Sequence, residues 1–125
     1  MKTILMVDDE ADFQRIVQRI LEPAGFCVLA AESSEKALPI LQDRPVDLLI
    51  LDWNLPGMSG VELCRQLRSD ARLKTIPVIL LTVRNLPDEQ MTGLTESGAD
   101  LYMTKPIQPE ELLARIQSFL GLLEG

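Results

Sequence analysis

Three carboxylates stand where two short apolar runs stop. Ile4-Leu5-Met6-Val7 closes in Asp8-Asp9, and Leu48-Leu49-Ile50-Leu51 closes in Asp52. Runs of this kind read as buried strands of a parallel sheet, and ligands of open α/β sheets bind at the carboxyl ends of such strands. Neighbouring anions repel. At an effective dielectric near 20, a pair 4 Å apart costs about 4 kcal/mol. A divalent metal or a lysine is therefore expected among them. Thr82 and Lys105 fall at the ends of two more strand-like stretches, and Asn54 lies two residues past Asp52. This set suits phosphoryl chemistry on a carboxylate. Asp52 can attack a phosphoryl group and hold it as an acyl phosphate. Mg2+, or Mn2+ in its place, takes oxygen ligands and needs few carboxylates, so Asp8 or Asp9 with Asp52 meets its demand. Phosphoryl transfer depends on positioning and positive charge. Lys105 and the metal can neutralise the equatorial oxygens, and Thr82 can donate a hydrogen bond to one of them. The chain has no histidine. That excludes a Ser-His-Asp triad, a Cys-His pair and a histidine-ligated zinc site, and any phosphohistidine must come from a partner.

The elements that must position these groups alternate between two periods. Strands are predicted at Thr3–Val7, Cys27–Ala30, Asp47–Leu51, Val78–Thr82 and Asp100–Thr104. Helices are predicted between and after them. The first, near Asp12–Glu22, carries Phe13, Ile16, Val17, Ile20 and Leu21 on one face and closes at Pro23 and Gly25. The second starts with Ser33 or Ser34 as N-cap and runs to about Gln42, with Pro39 expected to bend it or remove a hydrogen bond. A turn-rich stretch, Pro56-Gly57-Met58-Ser59-Gly60, leads to a helix near Val61–Arg68. The fourth helix is expected over Asp88–Ser97 with Gly98 as its cap. The last starts at Pro109 and turns Leu112, Leu113, Ile116, Phe119 and Leu120 inward. Five βα repeats imply a doubly wound parallel sheet covered on both faces, an α/β fold in one domain over residues 1–125.

Composition agrees. The 125 residues are 46% hydrophobic but 4% aromatic, which calls for an aliphatic core. The net charge of −7 argues against direct binding of nucleic acid or an anionic membrane. No signal peptide precedes the first strand and no apolar stretch is long enough for membrane insertion, so a cytoplasmic protein is expected. Cys27 and Cys64 lack CxxC spacing and read as reduced, buried or half-buried thiols.

The ordered motifs Val7-Asp8-Asp9-Glu10, Leu51-Asp52-Trp53-Asn54-Leu55-Pro56-Gly57-Met58-Ser59-Gly60, Leu81-Thr82 and Tyr102-Met103-Thr104-Lys105-Pro106 resemble the signature of bacterial response-regulator receiver domains over nearly the whole chain. The resemblance implies a flavodoxin-like (βα)5 fold with strand order 2-1-3-4-5. It implies Asp52 as phosphoacceptor, and Asp8, Asp9, Asp52 and the Asn54 backbone carbonyl as the Mg2+ site. It gives Lys105 as the partner of the phosphoryl group, Thr82 as the switch hydroxyl and Tyr102 as the aromatic that turns inward with it. It also implies a cis peptide bond before Pro106. The donor would be a histidine kinase or histidine phosphotransfer protein. The output would be a downstream partner or effector domain, contacted through the face formed by the fourth helix, strand five and the last helix. Activity would be limited to self-phosphorylation and self-dephosphorylation at Asp52.

Taken alone, Asp8-Asp9 reads as a strand end and helix cap, Thr82 as a β-branched strand residue, Tyr102 as packing and Lys105 as a surface charge; only the set carries the argument. Two departures stand out. Val83 replaces the usual small residue after Thr82, which predicts slow phosphorylation by small donors. Leu101 and Ile107 replace the acidic residue and phenylalanine usual in the winged-helix DNA-binding branch, so that branch's charged dimer contacts are incomplete, though Arg115 is present. The resemblance places Arg84 and Asn54 at positions that tune phosphate lifetime in the family. A phosphatase with an aspartyl-phosphate intermediate lacks a general acid here. A flavin module lacks the phosphate loop after strand one, where Asp8-Asp9-Glu10 would repel a phosphate. The sequence suits both a stand-alone regulator and the N-terminal piece of a longer protein.

Overall fold

A computed structural model of the chain describes residues 1–82 and 97–121. Five parallel strands, β1 (Thr3–Val7), β2 (Cys27–Ala31), β3 (Leu48–Asp52), β4 (Val78–Thr82) and β5 (Leu101–Thr104), form one sheet in the order β2-β1-β3-β4-β5. The flavodoxin-like α/β expectation therefore holds, strand order included. Among the described residues four α-helices flank it: α1 (Ala11–Leu21), α2 (Ser34–Asp43), α3 (Gly60–Ser69) and α4 (Pro109–Phe119). A short 3-10 turn, Glu22–Ala24, follows α1. The helix predicted over Asp88–Ser97 lies outside the described residues up to Ser97, as do Val83 and Arg84. Gly98, the residue expected to cap it, has φ +91°.

Side-chain alternation along the strands sorts the core onto two faces. Ile4, Met6, Leu48, Ile50, Ile79 and Leu81 pack with Val17 and Leu21 of α1 and Leu112 and Ile116 of α4. The intervening residues Leu5, Val7, Leu49, Leu51, Val78 and Leu80 pack with Ala37 and Leu41 of α2 and Leu63, Cys64 and Leu67 of α3. Every residue of β3 and β4 is buried, the continuous burial that central parallel strands require. Each such leucine or isoleucine contributes about 1.5–3 kcal/mol.

Two residues depart from their predicted inward positions. Ile16 is 46% exposed and Phe119 38% exposed, because each lies on the flank of its helix, away from the sheet. The Ser33 side chain caps α2 by accepting from the Lys36 N–H. Helix α2 runs unbroken through Pro39. Pro39 supplies no N–H to the carbonyl one turn back, so the lost bond, rather than a break, is the consequence. Ser59 caps α3 in the same way, accepting from the Glu62 N–H. No helix among the described residues is long and apolar enough to cross a membrane.

Candidate active site at the carboxyl edge of the sheet

Strand parity decides which side chains meet. Asp8 continues the series Ile4, Met6; Asp52 continues Leu48, Ile50; Lys105 continues Leu101, Met103. All three series face α1 and α4. Parallel register brings their ends level, with Val7 opposite Leu51 and Asp52 opposite Leu81, while the Lys105 N–H bonds the Thr82 carbonyl. The Lys105 ammonium consequently sits between two carboxylates, 2.7 Å from Asp8 Oδ2 and 3.2 Å from Asp52 Oδ2. The sequence demanded a metal or a lysine among the anions; a lysine is there.

The two acids are buried at this edge. Asp8 is fully buried and Asp52 nearly so. Burial pushes the Asp52 carboxyl above its usual range, and the Asp8 charge adds to the rise. The Asn54 N–H, which donates to Asp52 Oδ1 at 3.1 Å, and the Lys105 charge oppose it. Burial alone would lower the Lys105 ammonium. The hydrogen bond to Asp8 and the charges of Asp52 and Asp8 outweigh burial and hold it above its ordinary value. One cation thus serves two buried acids, and Glu10 Oε1 lies 3.8 Å from the same nitrogen.

Three local devices fix these groups. Asp8 Oδ1 accepts from the Glu10 N–H, closing the turn into α1. Gln14 Nε2 donates to the Asp8 carbonyl at 2.6 Å and to the Ala31 carbonyl at 3.2 Å, tying α1 to the ends of β1 and β2. After Asp52, the chain doubles back so tightly that a Cβ on Gly60 would lie 2.2 Å from the Asp52 carbonyl oxygen. Only glycine admits that approach, which the Gly60 N–H uses to bond the Trp53 carbonyl at 3.0 Å. Glu35 of α2 then holds the loop by accepting from the Met58 N–H.

The candidate residues are not all brought into contact. Asp8, Asp52 and Lys105 touch. Asp9 is exposed, and its carboxylate lies within 4.8 Å of those of Asp8 and Glu10. In the sequence Glu10 counted only as the third acid of the Asp8-Asp9-Glu10 run and was given no place at the metal site; its position directly after the acidic pair was the available signal. The all-oxygen, acidic character of this cluster beside Asp52 fits a hard divalent cation such as Mg2+. Asn54 faces the site through its N–H. Thr82 is buried at the same edge, and its hydroxyl lies 3.5 Å from the Met103 carbonyl, at the outer limit of a hydrogen bond. Tyr102 pairs with Leu80 in register and packs, half-buried, on the α2–α3 side of the sheet. By alternation Thr82 shares that face, opposite the one that carries Asp52. The Lys105–Pro106 peptide bond is cis.

Comparisons with known proteins bear on the family and the fold. A family profile described as "Response regulator receiver domain" matches residues 4–117. The phosphate regulon transcriptional regulatory protein PhoB of Pseudomonas aeruginosa is 47% identical over 119 residues, 95% of this chain and 52% of that protein. The chain therefore spans about half the length of that curated relative. The chemotaxis protein CheY of the same organism is 36% identical over 98% of both chains. Among solved structures, the signal receiver domain of a signal transduction histidine kinase from Syntrophus aciditrophicus superposes with a TM-score of 0.92 at 32% identity, covering 99% of this chain and 93% of that one. CheY4 of Vibrio cholerae does so with a TM-score of 0.87 at 32% identity, covering 96% and 99%.

Proposed function

Because the chain belongs to the response regulator receiver domain family of two-component signalling, we propose that Asp52 is its phosphoacceptor and that the 125 residues act as one receiver unit. The observation that carries this reading is the Lys105 ammonium bridging the buried Asp8 and Asp52 at the carboxyl edge of the sheet. An Asp52 oxygen attacks the phosphorus of a phosphohistidine on a histidine kinase or phosphotransfer protein. The P–N bond breaks, the imidazole leaves, and Asp52 holds an acyl phosphate. Asp8, Asp9, Asp52 and the Asn54 carbonyl would hold Mg2+ or Mn2+, with Glu10 close by; when bound, the ion supplies charge neutralisation at the phosphoryl oxygens. Lys105 supplies the fixed positive charge from the protein side. Hydrolysis of the same bond returns Asp52 to its carboxylate, so turnover is confined to self-phosphorylation and self-dephosphorylation.

Output is a population shift. Thr82 and Tyr102 share one face of adjacent strands, which supports a relay in which the Thr82 hydroxyl leaves the Met103 carbonyl for the phosphate and Tyr102 follows. The shifted face would bind a downstream protein or effector domain in the cytoplasm. Its net charge of −7 disfavours direct nucleic-acid contact by this unit.

The test is intact mass after incubation with acetyl phosphate or phosphoramidate, with and without Mg2+. A metal-dependent gain of one phosphoryl group, absent in Asp52→Asn, is the expected result. No gain in the wild type, or an equal gain in Asp52→Asn, overturns the reading.

A further inference from the structure

Besides the carboxylates of Asp52 and Asp8, the Lys105 ammonium meets an aromatic ring. The nitrogen lies over Phe13, 4.3 Å from the ring centroid. An ammonium has three N–H donors. Two are occupied by the carboxylates of Asp8 and Asp52, and the nitrogen also lies over the ring's negative face. Attraction of a cation to a ring persists to about 6 Å and strengthens as water is excluded; the Lys105 side chain is only 19% exposed.

The helix turn that carries the ring is anchored. Phe13 lies in the first turn of α1, and its neighbour Gln14 locks that turn to the Asp8 and Ala31 carbonyls. Phe13 also packs against the α1–α4 core.

We propose that Phe13 is a positioning residue for phosphoryl transfer, its ring holding the Lys105 ammonium toward Asp52. The inference rests on the receiver reading above. Its physical content is a division of labour. Carboxylate contacts to Lys105 must be exchanged when a phosphoryl group arrives, because phosphate oxygens compete for the same donors. The ring contact uses no acceptor and survives that exchange. It therefore limits a flexible four-carbon side chain before, during and after transfer. An aliphatic side chain of similar size would fill the space without attracting the cation.

The test uses small donors, which need no docking surface on α1. Phosphorylation by phosphoramidate is timed for wild type, Phe13→Leu and Phe13→Tyr, with thermal melts to establish folding. Proton NMR of the Lys105 ε-methylene, assigned by its loss in Lys105→Arg, is recorded for the same proteins. In the wild type and in Phe13→Tyr these protons are shifted upfield by the ring; in Phe13→Leu the shift is lost. Phe13→Leu is expected to be phosphorylated about threefold to tenfold more slowly, with Phe13→Tyr near wild type. Two results overturn the proposal: Phe13→Leu phosphorylated at the wild-type rate, or a slow Phe13→Leu whose Lys105 resonances have not moved, which would place the effect in packing. A wild type that takes no phosphate from any donor overturns the receiver reading instead.

Discussion

Each end of the sheet has a partly buried cation among its ties, and the two cations live in opposite circumstances. At the amino-terminal end, Arg68 of α3 donates to the carbonyls of Gly98, Lys74 and Ile76 and to Asp100 Oδ2. The same Asp100 oxygen accepts from the Val78 N–H. Donors are matched to neutral carbonyls and one acid, and the result ties α3 to the starts of β4 and β5. At the carboxyl end, Lys105 faces two buried acids and a third nearby, and Asp52 is held above its usual carboxyl range. A balanced network fixes a backbone. A network short of positive charge is poised to take more, in the form of a metal or an added donor, and to change when it does.

The largest effects should separate the two ends by function. Lys105→Ala is expected to slow phosphoryl uptake about 100-fold, the scale of removing one electrostatic stabiliser. Arg68→Ala should leave uptake within about threefold of wild type while costing about 2–4 kcal/mol of stability, since it orphans several carbonyls together. Uptake timed by intact mass beside urea melts reads both; an Arg68→Ala protein that is stable but does not take phosphate would erase the distinction. Next in size, Gly60→Ala should cost about 1–3 kcal/mol by overpacking and should also slow uptake, because the clash falls on the Asp52 backbone itself. A stable, fully active Gly60→Ala would remove the close approach from the account.

The smallest effect is a matter of sign. The folded-state pKa of Asp52 is raised, so its charge costs stability above that value, and the folded state binds the extra proton in the window between the unfolded and folded values. Without metal, Asp52→Asn should therefore melt a few degrees higher than wild type at neutral pH, and the gain should vanish as pH falls through the Asp52 value. Asp100→Asn should melt lower, because its carboxylate is matched. Calorimetry from pH 4 to 8 decides it; equal signs for the two variants would contradict the contrast.

Much of this was legible in the residues. The apolar runs placed the strands to within a residue, since continuous burial of β3 and β4 leaves few other readings, and the acids at their ends marked the site. Ile16 and Phe119 misled because helical spacing gives a face but not its width; both lie on the flanks. Phe13 read only as part of the apolar face of the first helix and Glu10 only as a third adjacent acid; neither was placed at the site. Only the turn into α1, fixed by the Asp8 and Gln14 hydrogen bonds, aims the first turn of that helix at Lys105. Gly60 read as an ordinary turn residue, because a close approach to a carbonyl eight residues earlier leaves no local signature. The faces of Thr82 and Tyr102 followed only once register was known.

The central claim is that Asp52, and no other carboxylate of the cluster, receives the phosphoryl group. Borohydride reduction of the phosphorylated protein converts an aspartyl phosphate to homoserine, and peptide sequencing by mass spectrometry then locates it. Homoserine at position 52, dependent on Mg2+ during phosphorylation, is the predicted result. Homoserine at position 8 or 9, with Asp52 unmodified, would contradict the account.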